Sequence, residues 1–258
     1  MPEYYDGIMA AGQFDTFAED LVGRVPVNPP GGVLELACGT GVATRRLRER
    51  LREEARLVAT DLSEAMLGFA RRKLGGTAGI EWRQADAGAL PFAGGEFGAL
   101  ACAFGVMFVP DKKKLFAEMR RVLKQDGVLV FNVWDGLAGN LHSSATNEVF
   151  TSLFPGDPEM RFDLPFAFND PALLRSLLDG AGFRDVRIEA VTREIRFRSA
   201  RELATGQLRG TPRGALLEKR GVDVDAIIEK CAAALARVGG AEPFRCKARA
   251  LVVEARAK

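Results

Sequence analysis

The sequence is poor in the residues that build metal centres and disulfide frameworks. Its 258 residues include one histidine and four cysteines. The cysteines are far apart in the chain and form no Cys-x-x-Cys pair, so we expect neither a zinc site nor a disulfide framework. We predict instead that they are small, reduced core residues. They are Cys38, Cys102, Cys231 and Cys246.

Long apolar runs and an excess of one charge are also missing. No apolar run approaches 18 residues, and the first residues lack the basic-then-apolar pattern of a secretion signal. The 36 basic and 34 acidic residues give a net charge of +2. This balance gives no reason to expect a nucleic acid or a membrane surface as a partner. We therefore predict a cytoplasmic protein with a small-molecule partner, and we leave its oligomeric state open.

Apolar runs and helical patterns alternate between Val33 and Trp134. Strands are predicted at 33–38, 57–60, 80–84, 99–104 and 128–134, and helices at 42–55, 63–74 and 111–123. The fourth run is almost entirely apolar, as in a strand buried on both faces. Alternation of this kind predicts right-handed parallel crossovers and therefore a doubly wound α/β sheet.

Outside 33–134, the predicted strands and helices do not alternate in this regular way. Helices are predicted at 14–25, 145–154 and 225–238, with further helix starts at Asp170-Pro171 and at Ser199, and strands are predicted at 186–191 and 248–255. The stretch 137–170 is mostly irregular, and a long irregular stretch inside a compact domain is usually functional.

Gly39-x-Gly41 follows the first predicted strand and opens a helix. Glycine lets the backbone turn tightly and lets a ligand approach it, and the helix start offers free N–H groups. The third glycine of the dinucleotide fingerprint is replaced by Thr44. Taken alone, the pattern leaves both a nucleotide site and a tight turn without a ligand open.

Three acids extend this pattern. Glu35 lies inside the first strand, Asp61 lies about 20 residues after the turn, where an acid can bind ribose hydroxyls, and Asp86 ends the third strand. With Gln125-Asp126-Gly127 later in the chain, the set resembles the class I S-adenosylmethionine-dependent methyltransferases. It is most similar to the small-molecule branch that includes the ubiquinone and menaquinone methyltransferases. The resemblance is close over 33–134 and loose elsewhere, and Glu35 stands where the family often has aspartate.

The resemblance implies a Rossmann-like sheet of seven strands, mostly parallel, with an antiparallel last strand and helical cap insertions. It implies one methyltransferase domain over 1–258, with cap or lid segments at about 1–25, 137–170 and 199–241. The implied cofactor is S-adenosylmethionine, with S-adenosylhomocysteine as product. The implied cofactor-binding residues are Glu35, Ala37, Gly39, Gly41, Asp61, Leu62, Met66, Asp86, Ala87, Ala103 and Phe104.

By the same resemblance, each part of the cofactor has its own residues. Asp61 should take the ribose diol, and Asp86 with the Ala87 backbone should take the adenine. The Gly39 turn with Glu35 should take the methionine end, where the carbonyls after strand four should face the methionine amine.

The residues that handle the methyl acceptor are less determined by the sequence. Methyl transfer from a sulfonium requires alignment of donor and acceptor and requires neither a metal nor a covalent residue. A general base helps where the acceptor must lose a proton, and His142, just past strand five, is the candidate base. A structural role is the alternative for His142. Tyr4, Tyr5, Met107, Phe108 and Trp134 are candidates for the acceptor pocket, with ordinary packing as the alternative.

Two further patterns bear on the substrate. No Asn/Asp-Pro-Pro-Tyr follows the fourth strand, which argues against an amine of a nucleic acid base. Several phenylalanines between 150 and 168 suggest a flat, mostly apolar acceptor that is methylated on O, N or C. A nicotinamide-dependent oxidoreductase is a competing function, although Thr44, Glu35 and Asp86 disfavour it. A non-catalytic module that binds S-adenosylmethionine is the other alternative.

Overall fold

The computed structural model describes residues 2–258 and contains one seven-stranded sheet with the strand order β3-β2-β1-β4-β5-β7-β6. The strands are β1 Val33–Leu36, β2 Leu57–Asp61, β3 Ile80–Gln84, β4 Phe97–Ala103, β5 Leu123–Trp134, β6 Phe183–Phe197 and β7 Phe244–Ala257. Neighbours among the first five strands are parallel, whereas β7 pairs with β5 in antiparallel register, with Phe131 opposite Val253. The predicted mostly parallel sheet with an antiparallel last strand is confirmed.

The chain divides into two compact units. Unit 1 comprises the chain up to Thr16, Asp135–Ala167 and Thr192–Arg249, and unit 2 comprises Phe17–Trp134, Phe168–Val191 and Ala250–Lys258. The single domain with cap segments at about 1–25, 137–170 and 199–241 stays a prediction. No helix among residues 2–258 is long and apolar enough to cross a bilayer.

Helices flank the strands of unit 2, and two of them begin at the predicted caps Asp111 and Asp170. They are α3 Val42–Arg50, α4 Glu64–Lys73, α5 Lys112–Val122 and α7 Pro171–Gly180. The side chains of Ser63, Asp111 and Asp170 each accept a hydrogen bond from the first turn of the following helix. These bonds satisfy N–H groups that have no partner inside the helix, which is why the chain turns helical at these residues.

Helix α3 is shorter than its apolar period predicts, because it ends at Arg50 rather than at Ala55. Arg48, near the end of this helix, is buried. Its guanidinium donates to the carbonyl of Ala55 at 2.8 Å and to that of Leu51 at 3.3 Å. A loop whose carbonyls surround this arginine therefore replaces the last predicted turn.

Unit 1 is mostly helical, and several of its helices, including the one at Pro212–Lys219, differ from the prediction. It contains α1 Pro2–Tyr4, a π-helical segment Tyr5–Phe14, α6 Leu141–Leu153, α8 Ala200–Arg209, α9 Pro212–Lys219 and α10 Val224–Gly239, while α2 Asp15–Gly23 begins in it and continues into unit 2. A π-helix has a wider turn than an α-helix, so its buried positions do not follow the α-helical period and gave no signal. Helix α6 begins four residues earlier than predicted, which places His142 in a helix and not in a loop.

Candidate active site

The glycine turn after β1 is open on one side and packed on the other. Gly39 and Gly41 have positive φ angles of 55° and 82°. A Cβ at Gly41 would lie 2.9 Å from Leu74 Cδ1, whereas a Cβ at Gly39 would meet nothing within 4 Å. Gly41 therefore lets α3 pack against the end of α4, and Gly39 leaves its own side free for a ligand.

Asp61 joins this turn to the end of β2. Its carboxylate accepts the N–H of Gly39 at 2.8 Å through one oxygen and the N–H of Ser63 at 2.8 Å through the other. The expected ribose-binding acid is thus fixed between two strand ends. Each carboxylate oxygen has a second lone pair, so both can accept a further hydrogen bond.

Buried polar groups lie in and beside the same turn. Glu35 in β1 is 1% exposed, and one of its carboxylate oxygens has no hydrogen-bond partner. Burial raises the pKa of Glu35 to about 8; the Asp61 carboxylate adds to this rise, whereas the nearby hydroxyl of Thr44 opposes it. The hydroxyl of Thr40 is also buried, without a hydrogen-bond partner. Neither threonine is among the predicted site residues.

The end of β4 lies against the end of β1. Phe104 has a φ of 53°, and its N–H donates to Oδ1 of buried Asn132 at 2.8 Å. A Cβ at Gly105 would lie 2.5 Å from the Cβ of Ala37, which itself has a φ of 52°. The predicted residues Ala37, Ala103 and Phe104 are therefore brought together by Asn132 and Gly105, neither of which the sequence had marked as a site residue.

The remaining predicted cofactor residues follow β2 and β3. Asp86 is exposed, and its Oδ1 accepts the N–H of Gly88 at 2.8 Å. Ala87 and Met66 are partly buried, whereas Leu62 is exposed. Because β2 and β3 are parallel neighbours, these residues lie at the same edge of the sheet as Asp61.

The predicted pocket residues of unit 2 have different environments. Trp134 is buried and stacks on Phe104 with 4.0 Å between ring centroids, and Phe17 meets both rings edge to face. Trp134 therefore packs against Phe104 and Phe17, and its role in an acceptor pocket stays a prediction. Met107 is buried and Phe108 is 64% exposed.

The other predicted residues belong to unit 1. Tyr4 is 47% exposed, and Tyr5 stacks on Phe14 at 5.2 Å. His142 is 0% exposed, and burial lowers its pKa to about 3. A general base works best with a pKa near the working pH, so this burial disfavours proton transfer at His142, and its catalytic role stays a prediction.

The cysteines carry no ligand set. All four are free, and Cys38, Cys102 and Cys231 are buried. Over the described range 2–258, no three His, Cys, Asp or Glu side chains are grouped so that they could hold a metal ion.

Comparisons with known proteins point to one enzyme class. Residues 33–127 match the model of a methyltransferase domain family. A curated relative, the ubiquinone/menaquinone biosynthesis C-methyltransferase UbiE of Klebsiella pneumoniae, is 40% identical over 101 residues, which are 38% of this chain and 40% of the relative. The chain thus aligns with less than half the length of this relative.

Solved structures extend the likeness of the fold to most of the chain. A crystallised candidate methyltransferase from Bacillus halodurans has a TM-score of 0.61 and 18% identity over 93% of this chain and 98% of its own. A phosphoethanolamine N-methyltransferase of Haemonchus contortus, solved with S-adenosylhomocysteine, has a TM-score of 0.57 and 14% identity over 94% of this chain and 52% of its own. The resemblance to methyltransferases is thus supported over residues 33–127, which match the methyltransferase domain model, and the solved structures show the same fold over most of the chain.

The residues at the strand ends fit S-adenosylmethionine as cofactor. The side of Gly39 that faces open space admits a ligand to the backbone, and the buried oxygens of Glu35, Thr40 and Thr44 offer it polar partners. Asp61 adds acceptors for vicinal hydroxyls.

Proposed function

We propose that this protein transfers a methyl group from S-adenosylmethionine to a small, flat and mostly apolar molecule. The observation that carries the proposal is the turn at the end of β1. There the Gly39 amide is bonded to Asp61, the Gly39 side of the turn is open, and the unpaired carboxylate oxygen of Glu35 is buried within the preceding strand. The likeness to UbiE makes a quinone-like ring with a carbon acceptor the first class to test.

We assign the chain's residues to three tasks in this reaction. Asp61 holds the ribose hydroxyls, and Asp86 with Ala87 holds the adenine, with Leu62 and Met66 beside it. Glu35 and the Gly39–Gly41 turn hold the methionine end, together with the carbonyls of Ala103 and Phe104. The cofactor supplies a methyl group already activated by its sulfonium, so what remains for the protein is alignment and exclusion of water.

Positioning of this kind is worth about 7–11 kcal/mol, which is enough to make a separate catalytic base optional. The cap segments at about 1–25, 137–170 and 199–241 stay predictions for acceptor binding, as do the candidates Tyr4, Tyr5, Met107, Phe108 and Trp134. The absence of a nucleic acid partner and the cytoplasmic location stay predictions.

The cofactor assignment can be tested by calorimetry with S-adenosylhomocysteine. Asp61→Asn keeps the size of the side chain but removes its charge, so we expect the affinity to fall about 10- to 100-fold. Glu53→Gln makes the same chemical change at an exposed carboxylate of unit 2 and should leave the affinity unchanged. Wild-type protein that binds NADH and not S-adenosylhomocysteine would refute the assignment in favour of an oxidoreductase.

The transfer itself can be tested with methyl-labelled S-adenosylmethionine and an extract of the source cells. Label in a small molecule is the expected result, and the mass of that product would identify the acceptor. Label only in protein or nucleic acid would refute the substrate class but would leave the cofactor assignment standing.

A further inference from the structure

Unit 2 has a cleft at the edge of the sheet opposite the predicted cofactor site. Its volume is about 630 Å³, an ordinary size for a small-molecule site, and β5, β6, β7 and α7 contribute to its wall. In the sheet, Val128 of the wall is level with Ala99 of β4, and Ala99 is level with Val33, the first residue of β1. The cofactor residues instead follow the last residues of the parallel strands, so the cleft is a separate place on the same unit.

Arginine is the commonest residue in the wall of this cleft. The guanidinium of one arginine is neutralised, because Arg24 donates to the carboxylates of Glu189 and Glu254 at 2.9 Å each. The other arginines of the wall have no acidic partner within residues 2–258, and they are Arg175, Arg187 and Arg256. Their side chains are exposed, so a ligand can reach them from solvent.

Two of these three guanidiniums are held in place without losing their charge. Arg175 donates from Nη1 to the carbonyl of Val186 at 2.7 Å, and Arg256 donates from Nη1 to the carbonyl of Asp126 at 3.2 Å. A carbonyl orients a guanidinium but does not neutralise it, and each guanidinium has five N–H donors. Arg187 follows Val186 directly in β6. Most of the N–H donors of these arginines therefore stay available to a ligand.

The acids of the wall compete little for these donors. Glu254 is paired with Arg24, and Asp185 is paired with Arg184 at 2.6 Å, outside the wall. Among the described residues 2–258, Asp179 is the one acid of the wall without a side-chain partner. Three unpaired guanidiniums beside one unpaired carboxylate favour an anionic ligand.

We propose that this cleft binds the phosphate groups of a small molecule, and that Arg175, Arg187 and Arg256 hold them. The planar fork of arginine matches two oxygens of a phosphate group at once, which makes such pairs stronger than neutral hydrogen bonds. Apolar side chains, among them Val128 and Val186, line the same cleft and leave room for an organic part of the ligand. The inference does not depend on methyl transfer, because none of these residues belongs to the predicted cofactor site.

Calorimetry of the full chain in buffer without magnesium tests the proposal with pyrophosphate and with ADP. Saturating S-adenosylhomocysteine keeps the adenine of ADP out of the cofactor site, and the pyrophosphate titration is valid whether or not S-adenosylhomocysteine binds. Tighter binding of ADP than of pyrophosphate would identify a phosphorylated organic molecule, and equal affinities would identify inorganic phosphate or pyrophosphate; both results support the site. Binding of neither probe would overturn it.

Variants of exposed arginines show whether the binding belongs to the cleft. Arg187→Gln and Arg256→Gln should each weaken pyrophosphate binding about tenfold, since each removes a charge-assisted contact. Arg52→Gln removes the same charge from an exposed arginine of unit 2 that does not line the cleft, and it should leave the affinity unchanged. Equal losses in all three variants would reveal only nonspecific attraction to positive charge and would contradict the assignment.

Discussion

Glu35 should make cofactor binding depend on pH. Burial raises its pKa to about 8, so only about 10% of the free protein carries this charge at pH 7. If the methionine ammonium of S-adenosylhomocysteine lies beside Glu35, as we propose, the carboxylate is ionised in the complex. Binding must then release a proton, because Glu35 is mostly protonated in the free protein and ionised in the complex.

The size of the effect follows from the two pKa values. If the ammonium returns Glu35 to its ordinary pKa of 4.5, nearly one proton leaves per ligand bound at pH 6.5. The affinity should then rise with pH, by close to tenfold per unit between about pH 5 and 7.5. Above about pH 8 the gain ends, since Glu35 is already ionised in the free protein.

Calorimetry in two buffers of different ionisation enthalpy measures both the affinity and the proton release. Glu35→Gln has no proton to release, so its affinity should be independent of pH over the same range. Unfolding in urea checks that the variant is folded. An affinity that is flat from pH 5.5 to 7.5 in the wild type, with no proton release, would refute the pairing of Glu35 with the ammonium.

Three further predictions concern the turn, its support and the buried imidazole. Gly39→Ala and Gly95→Ala each place a Cβ at a positive φ with nothing within 4 Å, so each should lower the free energy of unfolding in urea by about 1 kcal/mol. Only Gly39→Ala should also weaken S-adenosylhomocysteine binding, by tenfold or more in calorimetry. Asn132→Ala leaves the Phe104 N–H buried without its acceptor and should cost about 1–3 kcal/mol of unfolding free energy; a cost below 0.5 kcal/mol would contradict this role. His142, with its pKa lowered from 6.5 to about 3, is neutral when folded and gains a proton on unfolding below pH 6.5. Stability should therefore fall by about 2 kcal/mol between pH 6.5 and 5, and His142→Gln should remove this part of the fall in urea titrations at the two pH values.

The parts of the fold that the sequence predicted are those that local rules determine. Strand and helix alternation predicted the sheet, and the caps at Asp111 and Asp170 predicted helix starts, because a cap is an interaction between residues two or three apart. The end of α3 was wrong because Arg48 is held by carbonyls of a loop that no local pattern reveals. The π-helical segment was missed because its turn does not match the period that we searched for.

The residues of the candidate site likewise fall into those that a local motif marks and those that only the fold reveals. Gly39, Asp61 and Asp86 were marked by their places in a motif, and the strand ends bring them to one edge of the sheet. Asn132 and Gly105 carried no motif, because their importance comes from what they touch across the sheet. His142 shows the same limit, because its burial, which lowers its pKa, depends on contacts that no local pattern reveals.

The backbone at Ala37 and Phe104 shows why the site depends on these distant partners. Both residues have positive φ angles, which cost a residue with a Cβ about 1 kcal/mol or more, so neither would adopt this conformation on local preference. Phe104 is held by the Asn132 side chain 28 residues away, and Ala37 is approached by the backbone of Gly105. The strand ends that the cofactor must meet are thus shaped by contacts between strands, and this backbone arrangement should exist before any ligand binds. A loss of that arrangement in Asn132→Ala would then weaken S-adenosylhomocysteine binding although Asn132 has no assigned contact with it.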